Sequence, residues 1–263
     1  MLNRSQLLVV LSSVVLFLVL YFGCSTSSKE DLAKSSRRGM KTESAESGSA
    51  NVAEMISAAK NSLSAAQNSE MESLGKSVTD AGTQEAKIAG LKKLSGAWHQ
   101  AGKEEVAAIY AEQVAESEKT ETAWALAGGN YYLALKAATD KGIRDFCSGH
   151  AVVDFQNAAS LNPSNLEHKI NIALCYVENP PQDNPMRAVL LLQDLERQNP
   201  DNMLVPIQLA RLAMKTGQFE RAQGRLEKVL LKEPNNMKAI CLLAEAYQKT
   251  GNAKAGEFAG RCK

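Results

Sequence analysis

The side chains of this sequence that could carry chemistry are few and scattered. Its three histidines are His99, His150 and His168. Cys147 and His150 form a C-x-x-H pair that could supply two zinc ligands, but no second pair follows at a suitable spacing. No nucleophile elbow, P-loop, zinc-protease motif or glycine-rich dinucleotide turn is present. Because no nucleophile, base and orienting group come together, we predict a protein that is not an enzyme and has no cofactor or metal.

The five cysteines do not predict a disulfide framework. They lie at positions 24, 147, 175, 241 and 262, which is too dispersed for such a framework in a chain of 263 residues. Cys175 and Cys241 fall within apolar helical patterns, where a free cysteine packs as a small hydrophobe. We therefore predict that role for both side chains.

Charge and composition limit the partners and the fold class. The chain contains 30 Lys and Arg residues and 29 Asp and Glu residues, which gives a net charge of +1. No overall field therefore attracts nucleic acid, which we exclude as a partner. Aromatic residues make up only 5% of the chain, while alanine and leucine are abundant. This balance favours closely packed helices over sheets and predicts an all-α fold.

The first 24 residues predict attachment to a membrane. An uncharged, mainly apolar run extends from Leu7 to Gly23, and its 17 residues are at the lower limit for a helix that crosses a bilayer. The run ends in LYFGC, which resembles a bacterial lipoprotein box and makes Cys24 a candidate for lipidation. Both a transmembrane helix and a lipidated Cys24 agree with these residues, and of the two we favour the helix.

The side of the membrane stays open at this point. Five basic residues follow the apolar run, which by the positive-inside tendency would hold the body in the cytoplasm. A leader that acts as a signal sequence would instead export the body to the periplasm. Residues 25–50 contain eight serines and almost no large apolar side chains, so we predict a flexible linker there. Residues 51–83 show helical apolar spacing and predict an amphipathic helical segment.

A pentapeptide that contains proline recurs in the second half of the chain. LNPSN, QNPDN and KEPNN centre on Pro163, Pro200 and Pro234, with gaps of 37 and 34 residues. Proline disfavours helical geometry in the residue before it, and the polar residues after it can cap the next helix. A period in this range is typical of an array of helical repeats.

The residues between these prolines resemble the tetratricopeptide repeat, a helix–turn–helix unit of 34 residues. The family pattern of Trp, Gly, Tyr, Ala, Phe, Ala and Pro is matched in one copy by Trp124, Gly128, Tyr131, Ala151, Phe155, Ala158 and Pro163. Shorter matches cover residues 84–263, about five repeats. The resemblance implies a right-handed α-solenoid. In it, Gly217 and Gly251 would form hairpin turns, and large side chains such as Trp98, Tyr176, Leu226 and Tyr247 would fill the core.

The resemblance also implies a groove, lined by the first helix of each repeat, that binds peptides or helices of partner proteins. We predict that its lining comprises Lys92, His99, Tyr132, Ile170, Leu174, Val177, Arg211, Met214, Lys215, Glu245 and Lys249. Two departures from the repeat length stand out: 11 extra residues around positions 137–151, and three in ENPPQDNP. Such insertions map to loops or lengthened helices, either as part of a binding face or through drift.

These observations predict a membrane-anchored scaffold or adaptor for other proteins, with no catalytic role. Two alternatives stay open. One is a structural component that associates with its own copies through residues 51–80 and the terminal repeat. The other is a cell-envelope lipoprotein that acts as a chaperone or recruits envelope proteins.

Overall fold

The structure, a computed structural model, describes residues 52–262. The predictions for residues 1–24, Cys24 among them, and for the linker at 25–50 lie outside the described residues. The chain divides into two units, Met1–Ser57 and Ala58–Lys263. Of the first unit, the structure describes only residues 52–57, at the start of one helix. The other helices belong to the second unit.

The described residues form twelve α-helices and no strands, which confirms the predicted all-α fold. The first helix, α1, covers residues 52–61. The others are α2 Ala65–Thr79, α3 Gln84–Gln100, α4 Glu104–Glu118, α5 Glu121–Ala137, α6 Lys141–Leu161, α7 Leu166–Glu178, α8 Arg187–Gln198, α9 Leu204–Lys215, α10 Phe219–Lys232, α11 Met237–Thr250 and α12 Ala255–Arg261. None of the helices in residues 52–262 combines the length and apolar character needed to span a bilayer.

From α3 onward the helices pack as five successive pairs, α3–α4 to α11–α12, and each helix contacts the next along the chain. The first helices of neighbouring pairs also contact one another, α5 with α7, α7 with α9 and α9 with α11. Such a stack of helix pairs is an α-solenoid of repeats, as predicted.

Large side chains at the predicted positions fill the space between the helices. Trp98, Tyr131, Phe155, Leu226 and Tyr247 are all buried. The ring of Phe155 lies 3.1 Å from the point that a Cβ atom on Gly128 would occupy. A glycine on α5 therefore lets α6 approach it closely, because any side chain there would meet the aromatic ring.

The pentapeptides are joints between repeats, as predicted. Helices α6, α8 and α10 end just before Pro163, Pro200 and Pro234. The last residue of each pentapeptide caps the next helix through its side-chain oxygen. Asn165 accepts from the Glu167 amide at 3.1 Å, Asn202 from the Leu204 amide at 3.0 Å, and Asn236 from the Ala239 amide at 3.0 Å. These bonds satisfy amides that a helix start leaves without partners.

The turns within two pairs depend on glycine. Gly217 follows α9 with φ of 74°, and Gly251 follows α11 with φ of 68°. Both lie in the left-handed region, which glycine adopts without the steric penalty of a side chain. The prediction for these two residues is confirmed.

A carboxylate on α5 forms hydrogen bonds with the segment around Pro163 that connects two repeats. The Glu121 carboxylate lies 2.7 Å from Nε2 of His168 and accepts hydrogen bonds of 3.0 Å from the side-chain amides of Asn165 and Asn162. These bonds, that of His168 first, lower the pKa of Glu121 to about 2. The carboxylate therefore stays ionised and connects the start of one repeat to the start of the next.

The 11-residue insertion lengthens the second helix of its repeat. Helix α6 has 21 residues, whereas α4 has 15 and α8 has 12. The added turns contact α5, since the rings of Phe146 and His150 lie 4.3 Å apart and each contacts the ring of Tyr131. Within residues 138–150 only Cys147 and Ser148 are buried, and the others are exposed or half-buried.

The prediction that Cys241 packs as a free small hydrophobe is wrong. Cys241 on α11 forms a disulfide with Cys262, which follows α12, and their Cα atoms are 4.9 Å apart. Helix α12 folds back onto α11, with the ring of Phe258 edge-on to Tyr247 at 5.3 Å. This return brings together two cysteines that are 21 residues apart. The prediction for Cys175, which is a buried free thiol, is confirmed.

Candidate docking surface

The first helices α5, α7, α9 and α11 contact one another in turn, and α3 and α5 line the same cavity. The exposed side chains of these five helices form the surface here called the inner face. Each helix turns its apolar stripe toward its neighbours and leaves one side open. Ten of the eleven predicted groove residues are exposed or half-buried on these five helices.

At its N-terminal end the inner face has a cavity of about 480 Å³ between α3, α4 and α5. Lys92 and His99, both predicted, line this cavity together with Leu126. The Lys92 ammonium pairs with Glu118 at 2.6 Å. His99 Nδ1 lies 2.8 Å from a carboxylate oxygen of Glu104. The cavity therefore has an apolar wall and a polar rim whose Lys92 and His99 side chains already contact carboxylates of the chain.

The middle of the inner face brings three predicted residues together around Glu178. Lys215 pairs with the Glu178 carboxylate at 3.2 Å. Burial, then the nearby Glu178 carboxylate, raises the pKa of Tyr132 to about 12, and the Arg211 guanidinium opposes this rise. The ammonium of Lys136 lies 5.9 Å from the centre of the Tyr132 ring, within the range of a cation–π contact. An aromatic ring and three cations thus meet in one place.

The sequence-based prediction for Ile170 is wrong. Its side chain is only 4% exposed and packs in the core with Ala173, Leu192 and Leu195. A partner cannot contact a side chain that neighbouring helices already cover. Leu174 packs partly against the same cluster, Met214 packs partly against the next one, and Val177 is half-buried. The apolar residues among the predicted groove lining therefore belong wholly or partly to the core.

Two leucines that the prediction omitted supply the apolar surface instead. Leu126 is 60% exposed and Leu133 is 50% exposed, both on α5. They lie seven residues apart, which places them on the same side of the helix two turns from each other. This spacing is visible in the sequence, but the same spacing also fits residues of the repeat core, so it does not by itself predict exposure. At the C-terminal end, the predicted Glu245 and Lys249 are both exposed on α11.

The two side chains of the C-x-x-H pair lie in different surroundings: Cys147 is buried, whereas the His150 side chain is 37% exposed. Cys147 is buried, and burial raises the pKa of its thiol to about 12, so it holds its proton. His150 Nδ1 lies 3.0 Å from both carboxylate oxygens of Glu112, which also accepts a 2.6 Å hydrogen bond from the Tyr131 hydroxyl. Among residues 52–262, no three His, Cys, Asp or Glu side chains are arranged to hold a metal ion.

Beside this cluster lies a buried carboxyl group, that of Asp154 on α6. Within the described part of the chain, no hydrogen-bond donor reaches either of its oxygens. Burial, followed by the charges of Glu112 and Glu116, raises the pKa of Asp154 to about 9. The group is therefore protonated in the folded protein at neutral pH.

Asp154 is expected to make the folded state less stable as the pH rises. The unfolded chain releases this proton near pH 3.8 and the folded chain near 9, so the free energy of unfolding should fall between these values. Asp154→Asn should remove that slope and raise the free energy of unfolding at pH 7 by roughly 1–3 kcal/mol. Urea unfolding of both proteins across this pH range measures the difference. Parallel curves for the two proteins would contradict the assignment.

The tetratricopeptide repeat family model matches residues 182–240. No curated protein matches the chain. Among solved structures, a tetratricopeptide repeat protein from Parabacteroides merdae is 16% identical, over 80% of this chain and 78% of its own, with a TM-score of 0.49. A thermophilic tetratricopeptide repeat protein from Thermus thermophilus is 17% identical, over 68% of this chain and 98% of its own, with a TM-score of 0.47. At these values the two structures carry no functional argument.

Proposed function

We propose, from the tetratricopeptide repeat that residues 182–240 match, that this chain is a non-catalytic docking protein whose inner face binds a segment of another protein. The observation that carries the proposal is the exposed pair Leu126 and Leu133 on α5. Large apolar side chains on the open side of a repeat stack gain from being covered by a partner. Stacked helix pairs also provide the extended surface on which such proteins bind their partners.

The charges beside this leucine pair favour an acidic partner segment. Lys92 and Lys215 are paired with carboxylates of the chain itself. Lys136 and Arg211 form no ion pair with any carboxylate of residues 52–262, so their charge is available to a partner. An amphipathic helix or extended segment with leucine-sized side chains and nearby carboxylates fits both features.

We further propose that residues 1–24 attach the protein to a membrane and that the repeats lie on its oxidising side. The apolar run from Leu7 to Gly23 supports the attachment, through a spanning helix or a lipid on Cys24. The disulfide between Cys241 and Cys262 supports a periplasmic location for the body, because disulfides rarely persist in the cytosol. Mass spectrometry of the N-terminal peptide distinguishes the two anchors. A peptide that begins at a lipidated Cys24 identifies a lipoprotein, and an uncleaved Met1 identifies the helix.

Site-specific photo-cross-linking in cells tests the docking proposal. A photoreactive residue placed at Leu126 or Leu133 is expected to cross-link to another protein. The matched control is Leu231, which is 82% exposed but lies on α10, a second helix outside the inner face. Equal cross-linking at Leu231, or none at the two α5 sites, would exclude the inner face as a docking surface. Cross-links to a second copy of the chain would indicate self-association instead.

Arg211→Glu supplies the charge test in the same cells. It is expected to reduce the α5 cross-links to an acidic partner by at least about tenfold, since a reversed charge repels where the native one attracts. Lys228→Glu, on the second helix α10, makes the same charge change away from the inner face. If both variants reduce the cross-links equally, the effect comes from overall charge and the partner segment is not bound at Arg211.

A further inference from the structure

A second cavity, of about 450 Å³, lies where four helices end or begin, next to the loop of residues 179–186. It is enclosed by the end of α7, the start of α8, the end of α9 and the start of α10. Val177, Leu212 and Met186 form apolar walls, and two prolines of the loop, Pro180 and Pro185, complete them. Its volume is in the range of pockets that bind small ligands.

The cavity owes its outer wall to the loop that is three residues longer than the repeat requires. Hydrogen bonds hold the start of that loop in place and close a turn within it. The Asn179 amide donates to the Cys175 carbonyl at 2.9 Å, its side chain donates to Asp145 at 3.0 Å, and the Asn184 amide donates to the Pro181 carbonyl at 3.2 Å. Three of the chain's seven prolines stiffen the segment further. A wall formed in advance loses little conformational entropy when a ligand binds.

Every charged side chain that lines the cavity is cationic. Two of them are already paired, Lys215 with Glu178 at 3.2 Å and Arg225 with Glu196 at 2.7 Å. The third, Arg221, donates to the neutral side chain of Gln218 at 2.8 Å and forms no ion pair with any carboxylate of residues 52–262. The cavity therefore combines an apolar interior with one unneutralised guanidinium at its rim.

We propose that this cavity, the proline-loop pocket, binds a leucine-sized side chain of a partner protein whose neighbouring residue is acidic. The partner's leucine-sized side chain fills the space between Val177, Met186 and Leu212, and its apolar surface is thereby removed from water. The carboxylate of the neighbouring partner residue pairs with Arg221, because the planar guanidinium group is suited to bidentate contact with carboxylates. The pocket borders the inner face at Val177 and Lys215 but has walls of its own, so it is a second anchor point.

The test follows the methyl signal of Met186 by NMR in the full-length protein, labelled on its methionine methyl groups and held in detergent micelles. Met186 lines the pocket, while Met237, which is also exposed, lies on α11 away from it and is the internal reference. The probe is the peptide acetyl-Glu-Leu-Glu-amide. Acetyl-Gln-Leu-Gln-amide lacks its charge, and acetyl-Glu-Gly-Glu-amide lacks its apolar side chain.

The expected result is a saturable shift of the Met186 signal with the probe and none of Met237. Each control peptide should bind at least about tenfold more weakly, because one charge-assisted contact or one buried side chain is lost. Arg221→Gln should weaken binding of the probe peptide by the same factor. Lys228 lies on α10 outside this pocket, so Lys228→Gln should leave the affinity for the probe unchanged. Circular dichroism of each variant verifies that the helices are intact.

Three results would overturn the proposal: no movement of Met186, equal binding of all three peptides, or equal effects of the two variants. Each can occur whether or not the inner face docks a partner. The cross-links at Leu126 and the Met186 shifts depend on different residues, so failure at one site is distinguishable from failure at the other.

Discussion

Phe155→Ala is expected to lower the free energy of unfolding by about 3–5 kcal/mol, the usual loss when a buried phenylalanine is truncated. Phe155 is 2% exposed, and its ring lies against α5 at Gly128, 3.1 Å from the position of an added Cβ atom. Because Gly128 has no side chain that could move into the space, the cavity left by the ring should stay open. Urea unfolding followed by far-ultraviolet circular dichroism measures the loss.

Val153→Ala is the matched control for this variant. Val153 lies two residues away on the same helix but is 46% exposed, so its truncation should change stability by no more than about 0.5 kcal/mol. A loss below about 1 kcal/mol for Phe155→Ala would show that the ring is not part of a packed repeat core. Comparable losses for the two variants would indicate that the helix tolerates neither change, independent of packing.

Loss of the disulfide between Cys241 and Cys262 is expected to lower the free energy of unfolding by about 2–4 kcal/mol. The bond closes a loop across 21 positions and so restricts the unfolded chain. It also holds α12, which has seven residues and none that are fully buried. Its noncovalent attachment includes the packing of Ala255 and Phe258 against the cluster around Tyr247 and a 3.0 Å hydrogen bond from Arg261 to the Pro234 carbonyl.

The measurement compares wild type with the double variant Cys241→Ser/Cys262→Ser, each with and without dithiothreitol. The reductant should destabilise the wild type to the level of the variant and leave the variant unchanged. Hydrogen exchange should show the loss first in α12, while α5 and α6 keep their protection. If the reductant destabilises both proteins equally, its effect does not come from the disulfide between Cys241 and Cys262, which the variant lacks.

The features that sequence alone determined are those that depend on neighbours in the chain. A proline ends each of α6, α8 and α10, and an asparagine two residues later caps the next helix through amides two or three positions on. Gly217 and Gly251 adopt left-handed turns because of their own lack of a side chain. The resemblance of one copy to the repeat pattern likewise implied the buried rings of Tyr131 and Phe155. These interactions act within one or two helical turns, so the sequence displays them directly.

Only the tertiary structure decided which side chains on the margin of a helix stripe are covered and which distant groups meet. Ile170 and Leu126 are both apolar residues of a first helix, yet neighbouring helices bury the first and leave the second 60% exposed. Cys241 meets Cys262 because α12 turns back, and the proline-loop pocket exists because four helix ends converge. Helical periodicity places a residue on a side of its own helix, but burial and pairing depend on how neighbouring helices approach that side, and this is set by packing across the whole stack.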